Sequence, residues 1–514
     1  MQGLPQTFFE IAARRAEHRA IWCDGEEITY GELAARIARL SHALAEHGVA
    51  PGDAIGVLGR NSIAFVTLML AAADLGAVIV PVSATLPEDA ISAAFEAGDV
   101  RHVFADAAAL VAFAESELRT RIDGIWGALK DDTLENPFSL DALIDSAPVD
   151  ARPLQRGALD APLILSTTSG STGAPKAIVL TQRSKLERAR AAIALYSVAE
   201  NDRILIATPL YHSLAERLIF TALLSGATAL LMPRYSAPLW LDVTDAQSAT
   251  FTIAVSSQLS QIARRLRAEP SQIARCASLR CVVSSSAPLN ADDKDLILRA
   301  LPGELHECYG ASEIAIATSL DLTNQNAPRD SVGAAAPAVD IIILDESGAE
   351  TPQGEIGEIG VKTPMMFGGY HKRPDLTASA LQGGYFKTGD LGRIDENGAL
   401  YFAGRKKEII ITGGINVYPS DVEAAVLQTP GVSECAAFAL ADAQLGELVA
   451  VAVTLSTPGA LSTRALRRVC ADKLADFQQP QRFFILDALP RNAMGKIMRR
   501  ELPALVRAHE LSAA

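Results

Sequence analysis

Apolar residues recur at helical spacing early in the chain, where Leu33, Ile37, Leu40 and Leu44 follow the segment Thr29-Tyr-Gly-Glu32. A Thr followed three residues later by a Glu is the pattern of a capping box, so a helix is predicted to begin there. Ala54-Ile-Gly-Val-Leu-Gly59 is a short, continuous apolar run and predicts a buried strand. Asn61 is the predicted N-cap of an apolar helix running through Leu75, and Val78-Ile-Val-Pro-Val82 is the next predicted strand. Strand, helix and strand within about 30 residues form a βαβ unit, which implies a parallel sheet. The alternation returns around 204–207, 227–232, 250–255 and 280–284. From 331 to 404 the texture changes. Short apolar runs alternate with turn signals such as Asp345-Glu-Ser-Gly348 and Glu396-Asn-Gly398, which predicts a small, largely antiparallel β unit. The mixed pattern resumes from Asp421, and a domain boundary is placed at 404–408, around Arg405-Lys-Lys-Glu408.

Composition narrows the class. The chain has 514 residues, 49% hydrophobic and 21% charged, which is globular composition for roughly two to four domains. With 46 Lys and Arg against 60 Asp and Glu, the formal charge is −14. That balance argues against sequence-independent binding to nucleic acid or to anionic membranes. The N-terminal segment carries Glu10 and no apolar core run, so it does not read as a signal peptide. The longest strongly apolar stretch, 65–73, is broken by Asp74 and is far short of the ~20 residues that a bilayer span needs. The six cysteines include no Cys-x-x-Cys pair, and His306 with Cys308 does not make a zinc site. A cytoplasmic, multi-domain protein is expected.

The richest segment for chemistry is Thr168-Ser-Gly-Ser-Thr-Gly-Ala-Pro-Lys176, set between two strand-like apolar runs. Hydroxyls, flexible glycines and one ammonium offer what a polyphosphate needs. A Walker A loop does not fit, because Pro175 precedes Lys176, Ala177 follows it, and the next residues read as a strand. A nucleophile elbow around Ser171 lacks its first Gly.

This segment resembles the phosphate loop of the adenylate-forming superfamily, which includes acyl-CoA synthetases, peptide-synthetase adenylation domains and luciferases. Further segments follow in the same order. Pro209-Leu-Tyr-His212 is similar to the superfamily's Pro-Leu-Phe-His, and Tyr309-Gly-Ala-Ser-Glu313 to its Tyr-Gly-x-Thr-Glu. Lys387-Thr-Gly-Asp390 with Gly404-Arg405 resembles its ribose-binding pair, and Pro490-Arg-Asn-Ala-Met-Gly-Lys496 its C-terminal Pro-x-x-x-x-Gly-Lys. The resemblance implies a large N-terminal domain, 1–404, made of two doubly wound α/β subdomains (about 1–160 and 161–330) and a small β-barrel (331–404). A smaller, mobile α+β C-terminal domain, 405–514, would pivot near Lys407.

The implied chemistry is ATP-dependent activation of a carboxylate as an acyl-adenylate, followed by transfer to the thiol of CoA. The implied partners are an organic acid, ATP, Mg²⁺ and CoA, in a monomer or a homodimer. Thr168, Ser169, Gly170, Ser171, Thr172, Gly173 and Lys176 would hold phosphates; Ser312 would bond the α-phosphate and Glu313 would ligate Mg²⁺. Tyr309 and Gly310 would face adenine, as would Ser286, Ala287 and Pro288, where Ser286 stands in place of a common Gly. Asp390 and Arg405 would hold the ribose hydroxyls. Lys496 would be the cation of the first step, and His212 would lie near the acyl carboxylate. Gly413 and Gly414 would leave room for the CoA pantetheine, with a tight turn as the plain structural alternative. The rival functions are an adenylating enzyme that loads a separate carrier protein, a luciferase-type monooxygenase and a non-catalytic nucleotide-binding protein. Leu214-Ala-Glu-Arg217, after His212, is read as an ion pair on a helix face, with recognition of a polar substrate tail as the alternative. Residues 405–514 hold 13 basic and 11 acidic residues, so the acidity belongs to the N-terminal body and the C-terminal part is basic where phosphate is to be met.

Overall fold

The computed structural model describes residues 3–130, 138–168, 176–457, 459, 461–491 and 496–513. The chain divides into two compact units: Met1–Ala327 with Ala336–Asp340 and Lys362–Phe386, and Pro328–Ala335 with Ile341–Val361 and Lys387–Ala514.

The first unit is built on two sheets. One runs in the order Trp126–Ala128, Val100–Ala105, Ala54–Leu58, Val78–Pro81, Pro162–Thr168 and Lys176–Thr181. It is parallel except for its last pair, which is antiparallel. The second follows the order Ala315–Asp321, Glu304–Ala311, Cys281–Ser285, Phe251–Val255, Arg203–Ile206, Thr228–Leu231, Arg19–Cys23 and Glu26–Thr29. Its interior is parallel, and the pairs Glu304–Ala311 with Ala315–Asp321 and Arg19–Cys23 with Glu26–Thr29 are antiparallel. The first sheet thus takes two strands from beyond residue 160, and the second takes two from the first 30 residues. Central strands such as Ala54–Leu58 and Phe251–Val255 are buried at every position, which explains their continuous apolar runs.

Local signals act as expected at Thr29. Its hydroxyl accepts from the Glu32 amide and the Glu32 carboxylate accepts from the Thr29 amide, opening the helix Tyr30–Glu46. Asn61 differs. The helix Ile63–Leu75 is capped by Ser62, whose hydroxyl accepts from the Phe65 amide. Asn61 is buried and serves another purpose: its amide donates to the Thr208 and Met232 carbonyls, and its oxygen accepts from the Leu210 amide at 2.7 Å. It thereby fixes the turn that leads to His212. Asp74, which interrupts the apolar run, is fully buried and accepts the amides of Leu154 and Gln155 at 2.9 Å each. Among the described residues no helix is long and apolar enough to cross a membrane.

In the second unit, Tyr385–Ile394 and Leu400–Arg405 form an antiparallel pair. Beyond it lies a sheet in the order Ile415–Val417, Ile410–Thr412, Gly446–Leu455 and Val432–Asp442, with Arg482–Ile485 parallel to Gly446–Leu455. Val449, Val451 and Val453 face one way, against Val422, Val426, Leu466 and Cys470. Ala450 and Ala452 face the other way, towards Phe484, Leu502 and Val506. The two-residue strand period thus buries both faces under helices.

Candidate active site

In the first unit, chemistry gathers at the C-terminal ends of the parallel strands, the usual place for ligands in open α/β sheets. Thr168 ends one strand and pairs in register with Lys176, which begins the next. Ser169, Gly170, Ser171, Thr172 and Gly173 between them lie outside the described residues. The Lys176 ammonium sits 5.4 Å from the centroid of the Tyr370 ring. The Tyr370 hydroxyl in turn donates to Glu313 Oε1 at 3.0 Å. Burial and the adjacent carboxylate both push the Tyr370 phenol up, so it remains a donor at neutral pH. Lys176, Tyr370 and Glu313 therefore form one continuous assembly. Tyr370 was not among the sequence-read residues; its signal is the segment Gly369-Tyr370, which no motif singles out.

Glu313 is held from behind. Arg188, fully buried, donates through Nη2 to the carbonyls of Ser312 (2.8 Å) and Glu313 (3.1 Å), and through Nε to that of Met365 (2.9 Å). The Phe367 amide also donates to the Glu313 carbonyl, at 2.7 Å. The loop Ser312-Glu313 is thus pinned by its backbone while its side chains remain available. Glu313 Oε1 has the Tyr370 hydroxyl; Oε2 has no hydrogen bond among the described residues. A pinned carboxylate with an oxygen to spare fits a hard divalent cation such as Mg²⁺.

Gly310 lies at a register shift in the hairpin of Glu304–Ala311 and Ala315–Asp321. A Cβ there would fall 1.7 Å from the Ala315 carbonyl oxygen, so no other residue fits this close approach. Ser286, Ala287 and Pro288 are exposed and follow the strand Cys281–Ser285. Ser286 has φ +80°, so the backbone keeps a glycine-like conformation although the residue is not glycine. Leu289 then anchors the segment by donating its amide to Glu307 Oε1 at 2.9 Å.

His212 occupies the N-cap of the helix Ser213–Ser225 but makes no side-chain cap. Its ring lies 4.6 Å from that of Tyr211, and its Nε2 is sealed from solvent with no partner. Burial pushes the imidazole down to about 4, so it is neutral at physiological pH. One residue on, Ser213 Oγ lies 3.5 Å from Ser312 Oγ. Glu216 pairs with Lys185 of the neighbouring helix Gln182–Leu195, both fully buried. The expected ion pair on one helix face is therefore not what Glu216 makes.

In the second unit, Asp390 and Arg405 stand opposite each other across the antiparallel pair, Arg405 Nε lying 3.2 Å from Asp390 Oδ1. Lys496 belongs to the same neighbourhood. Burial holds its ammonium below the usual lysine range, Arg405 and Arg499 add to that effect, and Glu408 and Asp390 oppose it. Arg499 is gripped by Glu423 (2.8 and 2.9 Å) and by Glu408 (2.9 Å). Lys407 is exposed in the short turn Lys406–Glu408. Gly413 (φ +57°) and Gly414 (φ +82°) connect Ile410–Thr412 to Ile415–Val417. Two positive φ angles in a two-residue hairpin loop call for glycine on their own account.

A profile described as "AMP-binding enzyme" matches residues 8–371, and one described as "AMP-binding enzyme C-terminal domain" matches 421–496. The chain belongs to the AMP-binding enzyme family. An indoleacetate–CoA ligase of Aromatoleum aromaticum is 31% identical over 493 residues, 93% of each chain. A feruloyl-CoA synthase of an Amycolatopsis species is 30% identical over 498 residues, covering 95% of this chain and 96% of its own. ATP-bound MatB from Rhodopseudomonas palustris superposes with a TM-score of 0.89 at 26% identity, over 98% of this chain and 99% of that one. The likeness therefore runs through both units of this AMP-binding enzyme.

Proposed function

We propose that this protein is an AMP-forming carboxylate–CoA ligase. The observation that carries the reading is the Lys176–Tyr370–Glu313 assembly beside Ser312, in a chain that belongs to the AMP-binding enzyme family throughout. In the first step a carboxylate oxygen of the acid attacks the α-phosphorus of ATP, and the bond to pyrophosphate breaks. In the second the CoA thiolate attacks the acyl carbonyl, and AMP leaves with the C–O bond electrons. Phosphoryl displacement needs little covalent help from a protein, so positioning and charge neutralisation dominate.

Lys176 and the hydroxyl-rich segment before it meet the β- and γ-phosphates, and Ser312 the α-phosphate. Glu313, steered by Tyr370, holds Mg²⁺, which neutralises phosphate charge when bound. Asp390 and Arg405 take the ribose, while Tyr309, Gly310 and 286–288 border the adenine. Lys496 neutralises charge between carboxylate and α-phosphate, a role supported by its proximity to the Asp390–Arg405 pair. His212, neutral and with an unsatisfied Nε2, meets the acyl carboxylate. Lys407 is the pivot between the two steps, and Gly413–Gly414 lie by the thiol's path. The protein works in the cytoplasm as a monomer or homodimer. Carboxylate-dependent ATP–pyrophosphate exchange tests the first step, and thioester formation with free CoA tests the second. Exchange without a CoA thioester would favour loading of a carrier protein instead.

A further inference from the structure

The helix Ser213–Ser225 carries a cation that the scheme above does not use. Arg217 is only 6% exposed, and its Nε is sealed with no partner. No hydrogen bond or ion pair of Arg217 is found among the described residues. Arg188, equally buried, leaves only its Nη1 without a partner and donates to three carbonyls, whereas Arg217 donates to none among the described residues. An unpaired buried guanidinium is costly, and a site that tolerates one is arranged for something that arrives later.

Its position says what arrives. Ser213 and Arg217 are four residues apart and share one helix face. Ser213 looks at Ser312, beside the α-phosphate position; Arg217 acts on Cys308, four residues before Ser312 and within the strand Glu304–Ala311. On the helix face Arg217 lies about 6 Å, one helical turn, beyond the level of Ser213 and Ser312. His212 Nε2 and Ser284 Oγ are among the other buried polar atoms that lack partners. Glu216 makes its ion pair with Lys185, and its charge acts on Arg217 without an ion pair or hydrogen bond between them.

We propose that Arg217 recognises a second anionic group at the far end of the acid, so that the substrate is a short dicarboxylic acid activated at one end only. The inference rests on the ligase reading and specifies its substrate class. A charge-assisted hydrogen bond of this kind corresponds to about 10–100-fold in binding.

The test compares pyrophosphate release with succinate, glutarate and adipate against butyrate, valerate and hexanoate, in the full-length enzyme and in Arg217→Met and Arg217→Lys. The expected result is a kcat/KM for the diacid about 10–100-fold above that for the monoacid of equal length. Arg217→Met should abolish this preference with little change for monoacids, and Arg217→Lys should retain part of it. Wild-type preference for the monoacid, or for a hydroxy or keto acid of the same length, overturns the proposal. So does an Arg217→Met variant that slows both classes in parallel, which is what a structural role gives. A thermal-shift titration with diacid and a non-hydrolysable ATP analogue reads binding without turnover. A diacid shift that vanishes in Arg217→Met, with no acid turned over, would keep the anion site and sink the ligase reading.

Discussion

Tyr370 joins two groups that otherwise do not touch, and Tyr370→Phe separates its two functions. The substitution removes the hydroxyl that donates to Glu313 Oε1 at 3.0 Å and keeps the ring beneath the Lys176 ammonium. A hydrogen bond to a charged group contributes about 1.5–3 kcal/mol. Glu313 is only half-buried, so the lower end applies, and at about 1.4 kcal/mol per tenfold the loss is roughly 10- to 30-fold. That loss should fall on kcat/KM for MgATP and on the Mg²⁺ concentration giving half-maximal rate. Tyr370→Ala also removes the ring, and a half-exposed cation–π contact adds about 0.5–1 kcal/mol, a further few-fold. Initial rates of pyrophosphate release at varied Mg²⁺ and ATP measure both. If Tyr370→Phe left the Mg²⁺ dependence unchanged while Tyr370→Ala impaired it, the hydroxyl would not steer Glu313 and the assembly would be a packing feature.

Other consequences can be checked separately. Lys496 must be protonated to neutralise the first step, and its ammonium is held below the lysine range, so adenylation should fall on the alkaline side below the usual lysine pKa. Glu408→Gln removes a charge that raises that pKa and should move the alkaline limb to lower pH; Lys496→Ala should abolish pyrophosphate exchange while sparing thioester formation from supplied acyl-adenylate. His212 titrates near 4 in the folded chain against 6.5 when free, so the unfolded state binds more protons between those values. Stability should therefore decline by roughly 2–4 kcal/mol as pH falls from 6.5 to 4, and His212→Gln should flatten that part of a denaturant-midpoint profile. Glu216→Gln leaves the buried Lys185 ammonium uncompensated and should cost about 3–5 kcal/mol in chemical denaturation near pH 7. Burial pushes Lys185 down to about 8 even with Glu216 holding it up, so in the variant the amine sheds its proton at lower pH and the deficit should shrink as pH rises towards 8.

Much of the fold was legible because it rests on local chemistry. The capping box at Thr29, the helix ending at Leu75 and the apolar strands each follow from short-range pattern. What could not be read is non-local. Asn61 has the right residue type and place for an N-cap, yet Ser62 takes that role because Asn61 is needed by the carbonyls of Thr208 and Met232, far along the chain. The strand Arg19–Cys23, with Glu26–Thr29 on its outer side, sits beside Thr228–Leu231, an adjacency that no spacing announces. Ser286 shows the converse. The residue type departs from glycine, but the fold still imposes a left-handed backbone there.

The same distinction decides how Glu216 and Arg217 are to be understood. As neighbours in sequence with opposite charges they invite pairing with each other or with a residue one turn away. On a helix, successive residues point about 100° apart, so they cannot share a partner across one face. Glu216 turns towards Gln182–Leu195 and finds Lys185; Arg217 turns towards Glu304–Ala311 and finds Cys308, which offers no negative charge while burial holds its thiol protonated. One residue makes an ion pair within the fold, and the other makes none among the described residues. Among the described residues no carboxylate makes an ion pair or hydrogen bond with Arg217, and Glu216 acts on it only through its charge. The vacancy is therefore local and specific, and a carboxylate carried in by the substrate is the group whose charge and hydrogen-bonding capacity complete it.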